Sequence, residues 1–218
     1  MKSITRRELA LGGLTVAGAT LLGVASGANK FQLGQKIVAV PKLGSDRGFE
    51  LKPTLSCGDG GSTPWVSEGP FYAPASPERA DFRTDHGVEI VLQGLVVNQQ
   101  CEPISGAVVD FWQTDPGGRY DHFGYDFRGH QFTDRNGAYE LFSVLPVSYV
   151  FLGVSRRRHI HVKLAAPGYR PLTTQIFFPF GVDVGVEDFS FDPKLVCSAN
   201  DNPEKLVKAQ FHFVMQAA

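Results

Sequence analysis

Two histidines lie two residues apart in residues 158–164, which read RHIHVKL. Alternate side chains of a β-strand point to opposite faces, so His159, His161 and Lys163 share one face and the apolar residues between them share the other. If the apolar face packs into a core, both imidazoles face one cleft and can bind one first-row metal ion. The alternative is an exposed basic strand face, since arginines precede the pair.

Two tyrosines occupy positions that are unusual for a purely structural role. Tyr120 lies in the turn-rich segment 115–122, which reads DPGGRYDH. Tyr149 follows Pro146 at the start of a predicted strand, ten residues before His159. A free phenol has a pKa near ~10, so it binds a metal at neutral pH only when a strongly Lewis-acidic cation removes its proton. We therefore treat both tyrosines as candidate site residues.

The composition indicates a globular chain rich in turns. Of the 218 residues, 43% are hydrophobic and 20% are charged, with 24 glycines and 14 prolines but only two methionines. These values argue against a disordered chain, a collagen or a coiled coil, and the shortage of helix formers favours an all-β domain. With 21 basic and 22 acidic residues, the net charge of -1 gives no electrostatic basis for nucleic-acid binding.

Apolar, β-branched runs separated by turn residues predict short strands from residue 88 onward. The strongest local signal is Asn136-Gly137, which predicts a hairpin between residues 131–133 and 138–142, because both residue types tolerate the positive φ of a tight turn. No convincing amphipathic helix interrupts the strands, so their spacing predicts a β-sandwich or barrel. The other predicted strands are 88–97, 106–112, 149–154, 158–164, 173–178 and 210–215.

Residues 1–28 predict an export signal. Lys2, Arg6 and Arg7 precede an uncharged run that ends in small residues at Ala28, which is the layout of a signal peptide. The segment around Arg6 and Arg7 resembles a twin-arginine signal. We expect cleavage after Ala28, export to the periplasm or the extracellular space, and no stable membrane insertion afterwards. An uncleaved membrane anchor is the alternative.

Residues 29–66 predict an irregular N-terminal arm that precedes a sandwich domain at 67–218. The arm is poor in periodicity and rich in glycine and proline. The exported part contains Cys57, Cys101 and Cys197, and an oxidising compartment permits one disulfide and leaves one thiol. The cysteine spacing matches no zinc motif and leaves the pairing open.

The succession of motifs resembles a known sandwich and a known enzyme family. Gly94, the turn at 103–107 and the segment 133–139 are similar to the transthyretin-like or prealbumin-like β-sandwich. The residues around the two tyrosines and the two histidines resemble the intradiol ring-cleavage dioxygenases, which include the catechol and protocatechuate dioxygenases. The segments that match are 68–72, 111–113, 118–120, 146–149, 156–161 and 174–175, so the resemblance runs from about residue 57 to the last strand.

The dioxygenase resemblance implies a non-haem Fe(III) site with long loops around it. The resemblance implies that Arg156 stabilises the negative charge that develops on the substrate and that Gln175 lies beside Arg156. For Arg156 the alternative is a surface salt bridge within the arginine run 156–158. The four protein ligands that the resemblance implies are Tyr120, Tyr149, His159 and His161.

The implied ligand set suits the ferric state, because two phenolates lower the reduction potential of the metal. The implied reaction consumes O2 and a small aromatic diol. It cleaves the ring between the two hydroxyl-bearing carbons and gives a cis,cis-muconate-type product. By analogy, Tyr149 leaves the metal and accepts one of the substrate's protons.

The sequence leaves the substrate and the assembly open. Val147 and Ser148 stand where the family often has glycine and proline, and the gap from Tyr149 to Arg156 is shorter than in the protocatechuate enzymes. A catechol, a hydroxyquinol or a lignin-derived diphenol is compatible with these features, as is a homo-oligomer or a partner subunit. The alternative function is a secreted, non-catalytic β-sandwich binding module, since fold alone does not imply catalysis.

Other aromatic and histidine residues are expected to play lesser parts. Tyr139 follows the predicted turn and His212 lies in the last strand, so both are expected to be structural. The residues expected to line or rim the cleft without binding the metal are Tyr72, His122, Tyr125, His130 and Tyr169.

Overall fold

The computed structural model describes residues 57–58, 61–181, 188–200 and 206–218, together with the backbone of two short strands near the N-terminus. These strands, β1 (Lys30–Leu33) and β2 (Lys36–Ala39), pair as an antiparallel hairpin within the predicted arm, a feature that the sequence did not lead us to expect. The predicted signal segment lies outside the described residues. In the described ranges, no helix has the length and apolar character needed to cross a membrane.

One sheet of the sandwich contains the strand with the two histidines. Its spatial order is β10 (Leu172–Phe177), β9 (His159–Ala165), β4 (Val108–Trp112) and β5 (Arg128–Phe132), all antiparallel. Ile160, Val162 and Leu164 of β9 are fully buried in the core, and the two histidines on its opposite face are each 2% exposed. The alternation predicted for β9 is confirmed, and the alternative of an exposed basic face is wrong because both imidazoles are buried.

The second sheet is built around the long strand β3 (Glu89–Asn98). Strand β6 (Ala138–Val144) pairs antiparallel with one edge of β3. Two short strands, β12 (Leu206–Gln210) and β13 (Phe213–Met215), run parallel to β3 and pair with successive parts of its other edge. A final short strand, β11 (Ser198–Ala199), lies outside β12. The all-β sandwich prediction is therefore confirmed, although β11 and β12 were not predicted.

The turn at Asn136-Gly137 forms, but it does not close the predicted hairpin. Gly137 has a φ of 71° and its N–H donates to the carbonyl of Asp134 at 3.0 Å. The flanking strands then separate, because β5 pairs with β4 and β6 pairs with β3. The residues of the turn fix a reversal of the chain. Which strands β5 and β6 pair with is decided by the different neighbours against which each is buried. The turn therefore carries the chain from one sheet to the other.

A small hairpin stands apart from both sheets. The sequence predicted one strand over 149–154, but the chain forms β7 (Tyr149–Phe151) and β8 (Val154–Arg156), which pair with each other. The turn between them contains Leu152 at a φ of 50° and Gly153 at 79°. Residues with positive φ allow a tight reversal of an antiparallel pair, and this reversal brings Tyr149 opposite Arg156.

The hydrophobic core lies between the two sheets. Its largest fully buried side chains include Phe111 and Phe177 from the first sheet and Phe213 from the second. Tyr139 is 4% exposed and its hydroxyl donates to the carbonyl of Phe211 at 2.8 Å, so its predicted structural role is confirmed. A 3-10 helix at Pro193–Leu195 adds to the same core.

A disulfide joins Cys57 to Cys101 and leaves Cys197 as a buried thiol. The bond ties the chain before the domain to the turn that follows β3. Its sequence separation of 44 residues means that it closes a long loop in the unfolded chain. We expect the bond to stabilise the fold mainly by restricting the unfolded state.

Replacement of both Cys57 and Cys101 by alanine is expected to lower the free energy of unfolding by about 4 kcal/mol, the value for loop closure over this separation. Chemical denaturation of the oxidised protein and of the variant measures the difference. A reducing agent should weaken the wild-type protein and leave the double variant unchanged. Equal stability of the two oxidised proteins would contradict the prediction.

His212 is buried between β12 and β13 and makes the fold sensitive to acid. Its Nδ1 accepts a hydrogen bond from the backbone N–H of Leu95 at 3.0 Å, and burial lowers the pKa of its imidazole from 6.5 to about 4. Below pH 6.5 the unfolded chain binds a proton here that the folded chain excludes until about pH 4. Stability is therefore lost as the pH falls through this interval.

The variant His212→Asn is expected to reduce this pH dependence, because the amide oxygen can accept from Leu95 but does not titrate. Between pH 7 and pH 4, wild type should lose up to about 3 kcal/mol more unfolding free energy than the variant. Urea denaturation at several pH values measures both slopes. Parallel curves would show that His212 does not contribute to the acid sensitivity.

Candidate metal centre

Tyr120 lies in the loop between β4 and β5, which is held in place by a carboxylate. Asp115 accepts hydrogen bonds from two backbone N–H groups of its own turn, at 2.8 and 2.9 Å. Gly118 has a φ of 79°, and a Cβ at that position would lie 3.2 Å from Cγ2 of Val147, which is closer than an ordinary contact. Glycine therefore lets this loop pack closely against the chain just before β7, the strand that begins at Tyr149.

Four side-chain tips, one from each predicted ligand, meet in this region. The hydroxyl of Tyr120 lies 3.3 Å from the hydroxyl of Tyr149 and 3.4 Å from Nε2 of His159. Nε2 of His159 lies 3.2 Å from Nε2 of His161. Two ligands bonded to one cation at about 2.0–2.1 Å, at right angles or slightly wider, are about 3 Å apart. These separations fit four ligands of one small cation.

The histidine nitrogens also fit a cation. Nδ1 of His159 lies 2.5 Å from the carbonyl of Arg157, which requires the proton on Nδ1 and leaves a lone pair on Nε2. Burial, and then the charge of Arg156, lower the pKa of His159, while burial and His159 lower that of His161. Both rings are therefore neutral, with their Nε2 atoms close together. A shared cation would bind both Nε2 atoms, with the proton of the His161 ring on Nδ1.

The two phenols require a strong Lewis acid to become ligands. Burial, and then the neighbouring Tyr149, raise the pKa of Tyr120 well above its usual value of 10, and burial also raises the pKa of Tyr149. Arg156 opposes both shifts. Among the described residues, no group of three or more His, Cys, Asp or Glu side chains is placed to hold a metal. The donor set with two phenols therefore suits a ferric ion better than a zinc or calcium ion.

The residues singled out for the reaction, Arg156 and Gln175, are hydrogen-bonded to each other. The guanidinium of Arg156 donates to Oε1 of Gln175 at 3.0 Å. Gln175 lies opposite His161 in the β9–β10 pair, and Arg156 lies opposite Tyr149 in the small hairpin. All six predicted site residues are thus brought to one place, and the roles assigned to them remain proposals.

Asp188 is a site residue that the sequence analysis missed. Its side chain is fully buried and its Oδ1 accepts from Nε of Arg156 at 3.1 Å. The same carboxylate accepts from the backbone N–H groups of Arg157 and Ser190, at 2.9 and 3.0 Å. Asp188 therefore fixes the plane of the Arg156 guanidinium. No local signal marks a residue 32 positions away in the chain.

Two aromatic side chains form walls around the four tips. Phe71 stacks on Tyr120 with ring centroids 4.3 Å apart, and Trp112 stacks on His161 at 4.8 Å. Trp112 and His161 are cross-strand partners in β4 and β9, which explains the stack. Both aromatic residues belong to segments that carry the dioxygenase resemblance, yet neither was assigned a role from the sequence.

The other candidates lie away from the four tips. The hydroxyl of Tyr72 donates to the carboxylate of Asp110 at 3.2 Å, and its ring packs against the ring of Trp112. His130 bonds to Ser76, and the hydroxyl of Tyr125 donates to the carbonyl of Pro74. His122 is exposed on a loop, and Tyr169 packs against the hydrophobic core.

Comparison with known proteins identifies the family. A family model described as Dioxygenase (Dioxygenase_C) matches residues 67–217, which is more than half of the chain. The chain belongs to this dioxygenase family. Among curated proteins, the chain is similar to catechol 1,2-dioxygenase 2 of Acinetobacter lwoffii, with 34% identity over 53% of this chain and 51% of that protein. It is also similar to chlorocatechol 1,2-dioxygenase of Rhodococcus opacus, with 32% identity over 57% of this chain and 60% of that protein.

Solved structures of the family have the same fold. The dioxygenase domain of a dioxygenase carbohydrate-binding protein fusion from Streptomyces sp. SirexAA-E superposes with a TM-score of 0.63 at 39% identity, covering 72% of this chain and all of that one. Hydroxyquinol 1,2-dioxygenase from Pseudomonas putida gives 0.65 at 26% identity, covering 72% of this chain and 67% of that one. The chain spans about half the length of the catechol 1,2-dioxygenases it matches.

The buried ion pair of Asp188 with Arg156 is expected to contribute strongly to stability. Asp188→Ala should lower the free energy of unfolding by about 3–5 kcal/mol, because the partly buried guanidinium and two backbone N–H groups lose their acceptor. Chemical denaturation measures the loss. The exposed pair of Lys163 with Glu68, whose side chains are 34% and 45% exposed, is the control. Glu68→Ala should cost less than about 1 kcal/mol, and equal losses at the two sites would contradict the prediction.

Proposed function

We propose that the protein is a non-haem Fe(III)-dependent intradiol dioxygenase. It cleaves the ring of a catechol-type substrate between the two hydroxyl-bearing carbons with O2 and gives a cis,cis-muconate-type product. The observation that carries this proposal is the convergence of two phenol oxygens and two imidazole nitrogens within hydrogen-bond distance of one another. Membership of the dioxygenase family supports the same reaction class.

The site residues would hold the metal in its ferric state and leave room for the substrate. When bound, a ferric ion would supply the Lewis acidity that favours the catecholate form of the substrate and draws electron density from its ring. Two phenolates balance two of its three positive charges. The histidines contribute no charge because burial keeps them neutral.

Tyr120 and Tyr149 are held with unequal firmness, which suggests different roles. Tyr120 is 6% exposed and its ring is stacked on Phe71. Tyr149 is more exposed and belongs to the three-residue strand β7, which among the described residues pairs only with β8. With a ferric ion bound, Tyr149 would be the phenolate able to move away on substrate binding, and its oxygen would accept one of the substrate's two protons.

Arg156 holds a fixed positive charge beside the reacting ring. Asp188 and Gln175 fix its guanidinium from two directions, so the charge need not reorient during the reaction. A preorganised charge of this kind is typically worth ~3–4 kcal/mol in rate when negative charge develops in the transition state. Gln175 keeps the guanidinium at the side of the site where His161 lies.

The class of substrate is supported mainly by the relatives. Phe71 stacks on Tyr120 and Trp112 stacks on His161, so both aromatic rings hold proposed ligands in place beside the reacting centre. The similar proteins are named as catechol, chlorocatechol and hydroxyquinol 1,2-dioxygenases. We propose a small diol of this class as the substrate, with O2 as the second reactant.

We also propose that the protein acts outside the cytoplasm, after export through the twin-arginine-type signal predicted at residues 1–28. The disulfide between Cys57 and Cys101 supports this location, because such bonds persist in oxidising compartments. Fractionation of cells that express the full chain tests the location. Recovery of reduced protein in the cytoplasm alone would contradict it.

The iron-loaded protein is expected to be burgundy, with a broad tyrosinate-to-iron band, and to consume O2 with a catechol. Tyr120→Phe should weaken and shift the band and reduce O2 uptake by at least about 100-fold, because one of the two phenolate ligands is lost. An oxygen electrode, visible spectroscopy and mass analysis of the ring-fission product measure these effects. A panel of catechols, chlorocatechols and hydroxyquinol identifies the preferred substrate.

Tyr139→Phe is the matched control, since it removes a buried tyrosine hydroxyl outside the site. This variant should keep the colour and the O2 uptake and lose only about 1 kcal/mol of stability. A colourless wild-type protein that binds stoichiometric zinc would defeat the proposal. Binding of catechols to iron-loaded protein without O2 uptake would instead indicate the non-catalytic binding module.

A further inference from the structure

Arg128 is a buried cation without a carboxylate partner. Its residue is 3% exposed, and within the described ranges no carboxylate lies within ion-pair distance of its guanidinium. Burial of a charge without a counter-charge costs several kcal/mol and is rare in structural positions. A fold that keeps this arrangement next to a proposed metal centre suggests a functional reason for the arginine.

The guanidinium donates to two backbone carbonyls that flank Tyr120. One nitrogen donates to the carbonyl of Phe71 at 2.6 Å, and the other terminal nitrogen donates to the carbonyl of Asp121 at 2.7 Å. Asp121 directly follows Tyr120 in the chain, and the ring of Phe71 stacks on Tyr120 at an interplanar angle of 12°. Arg128 therefore restrains Tyr120 indirectly. It holds the backbone of Asp121, the next residue in the chain, and the backbone of Phe71, whose ring stacks on the Tyr120 ring.

The two carbonyls belong to separate segments of the chain, and the loop that contains Asp121 is ordered by its own hydrogen bonds. The side chain of Asp121 accepts three backbone N–H groups of the following loop, at 2.9, 2.9 and 3.0 Å, so this loop is ordered around the residue that Arg128 holds. Phe127, immediately before Arg128, has a φ of 55°, which is unfavourable for a bulky residue. Backbone strain of this kind persists where the surrounding structure fixes the conformation, and it often marks a functional segment.

The strand position of Arg128 explains how one side chain reaches both segments. Arg128 begins β5 and lies opposite Trp112, the residue that ends β4 and stacks on His161. The guanidinium thus starts from the rigid edge of the sheet that carries the histidines. Its planar fork presents two separate nitrogens, whereas a lysine offers a single ammonium nitrogen and cannot reproduce both contacts with the same geometry.

We propose that Arg128 is a positioning residue that holds the Tyr120 hydroxyl at the metal. The inference rests on the proposed function, because it takes Tyr120 as an iron ligand. Arg128 acts through Phe71 and Asp121 and does not itself contact the reacting atoms. Its role is to transmit the rigidity of β5 to a ligand that lies on a loop.

The test compares wild type with Arg128→Lys, which keeps the positive charge and loses the two-pronged contact. The iron-loaded variant should show a weakened tyrosinate band and should release iron to a chelator about 10-fold faster. Its kcat for catechol should fall by about 10- to 100-fold, with KM changed less than about 3-fold, because a displacement near 1 Å at a reacting centre can cost this much in rate.

Arg79 provides a matched control. Its guanidinium also donates to backbone carbonyls of the same loop, those of Tyr125 and of Arg128, the latter at 2.8 Å. Arg79 has no contact with Phe71 or Asp121 in the described residues, so Arg79→Lys should lower the melting temperature to a similar extent while keeping the band and the rate of iron release. Equal spectral losses in both variants, or a normal spectrum in Arg128→Lys, would overturn the proposal.

A measurement on iron-free protein separates this inference from the proposed function. In the wild type, the stacked ring of Tyr120 should flip slowly enough to give separate ring-proton signals by NMR, and Arg128→Lys should give averaged signals. Slow flipping in the variant would contradict the positioning role. Failure of the iron-loaded wild type to consume O2 would defeat the proposed function, but it would leave the result for Tyr120 valid.

Discussion

Two buried, neutral imidazoles face each other at 3.2 Å on the face of β9 opposite the core, with two phenols in contact beside them. The four polar tips are largely withdrawn from solvent and lie at the separations of ligands around one small cation, so a single cation can bind all four. The rest of the site follows from this constraint. Burial keeps the rings neutral, and the nearby arginines offset the negative charge that two phenolates bring.

The fold holds the four donors with graded firmness, from the two histidines through Tyr120 to Tyr149. His159 and His161 belong to a strand that is paired on both sides, so their positions are fixed by the sheet itself. Tyr120 is on a loop that is tied down by side-chain hydrogen bonds, and Tyr149 is on a hairpin outside both sheets. This gradation suits a centre in which some ligands must stay in place while another gives way.

Local patterns in the sequence predicted the parts of this structure that local physics determines. The alternation in residues 158–164 placed the histidines correctly, and the order of motifs indicated the tyrosines and Arg156. The sequence did not reveal Asp188 or the role of Phe71, because their contacts join segments 32 and 49 positions apart. It also misassigned the strands around Asn136-Gly137, because a turn sequence specifies a reversal and not the neighbour beside which a strand is buried.

The parallel pairing of β12 and β13 with β3 affects how the molecule is made. Leu206 pairs with Glu89 and Met215 pairs with Asn98, so the edge of the second sheet is completed by residues more than a hundred positions downstream. Contacts of such high contact order form slowly. During translation, one edge of β3 stays uncovered until residues 206–215 have left the ribosome. A nascent chain that lacks these residues therefore exposes an aggregation-prone edge.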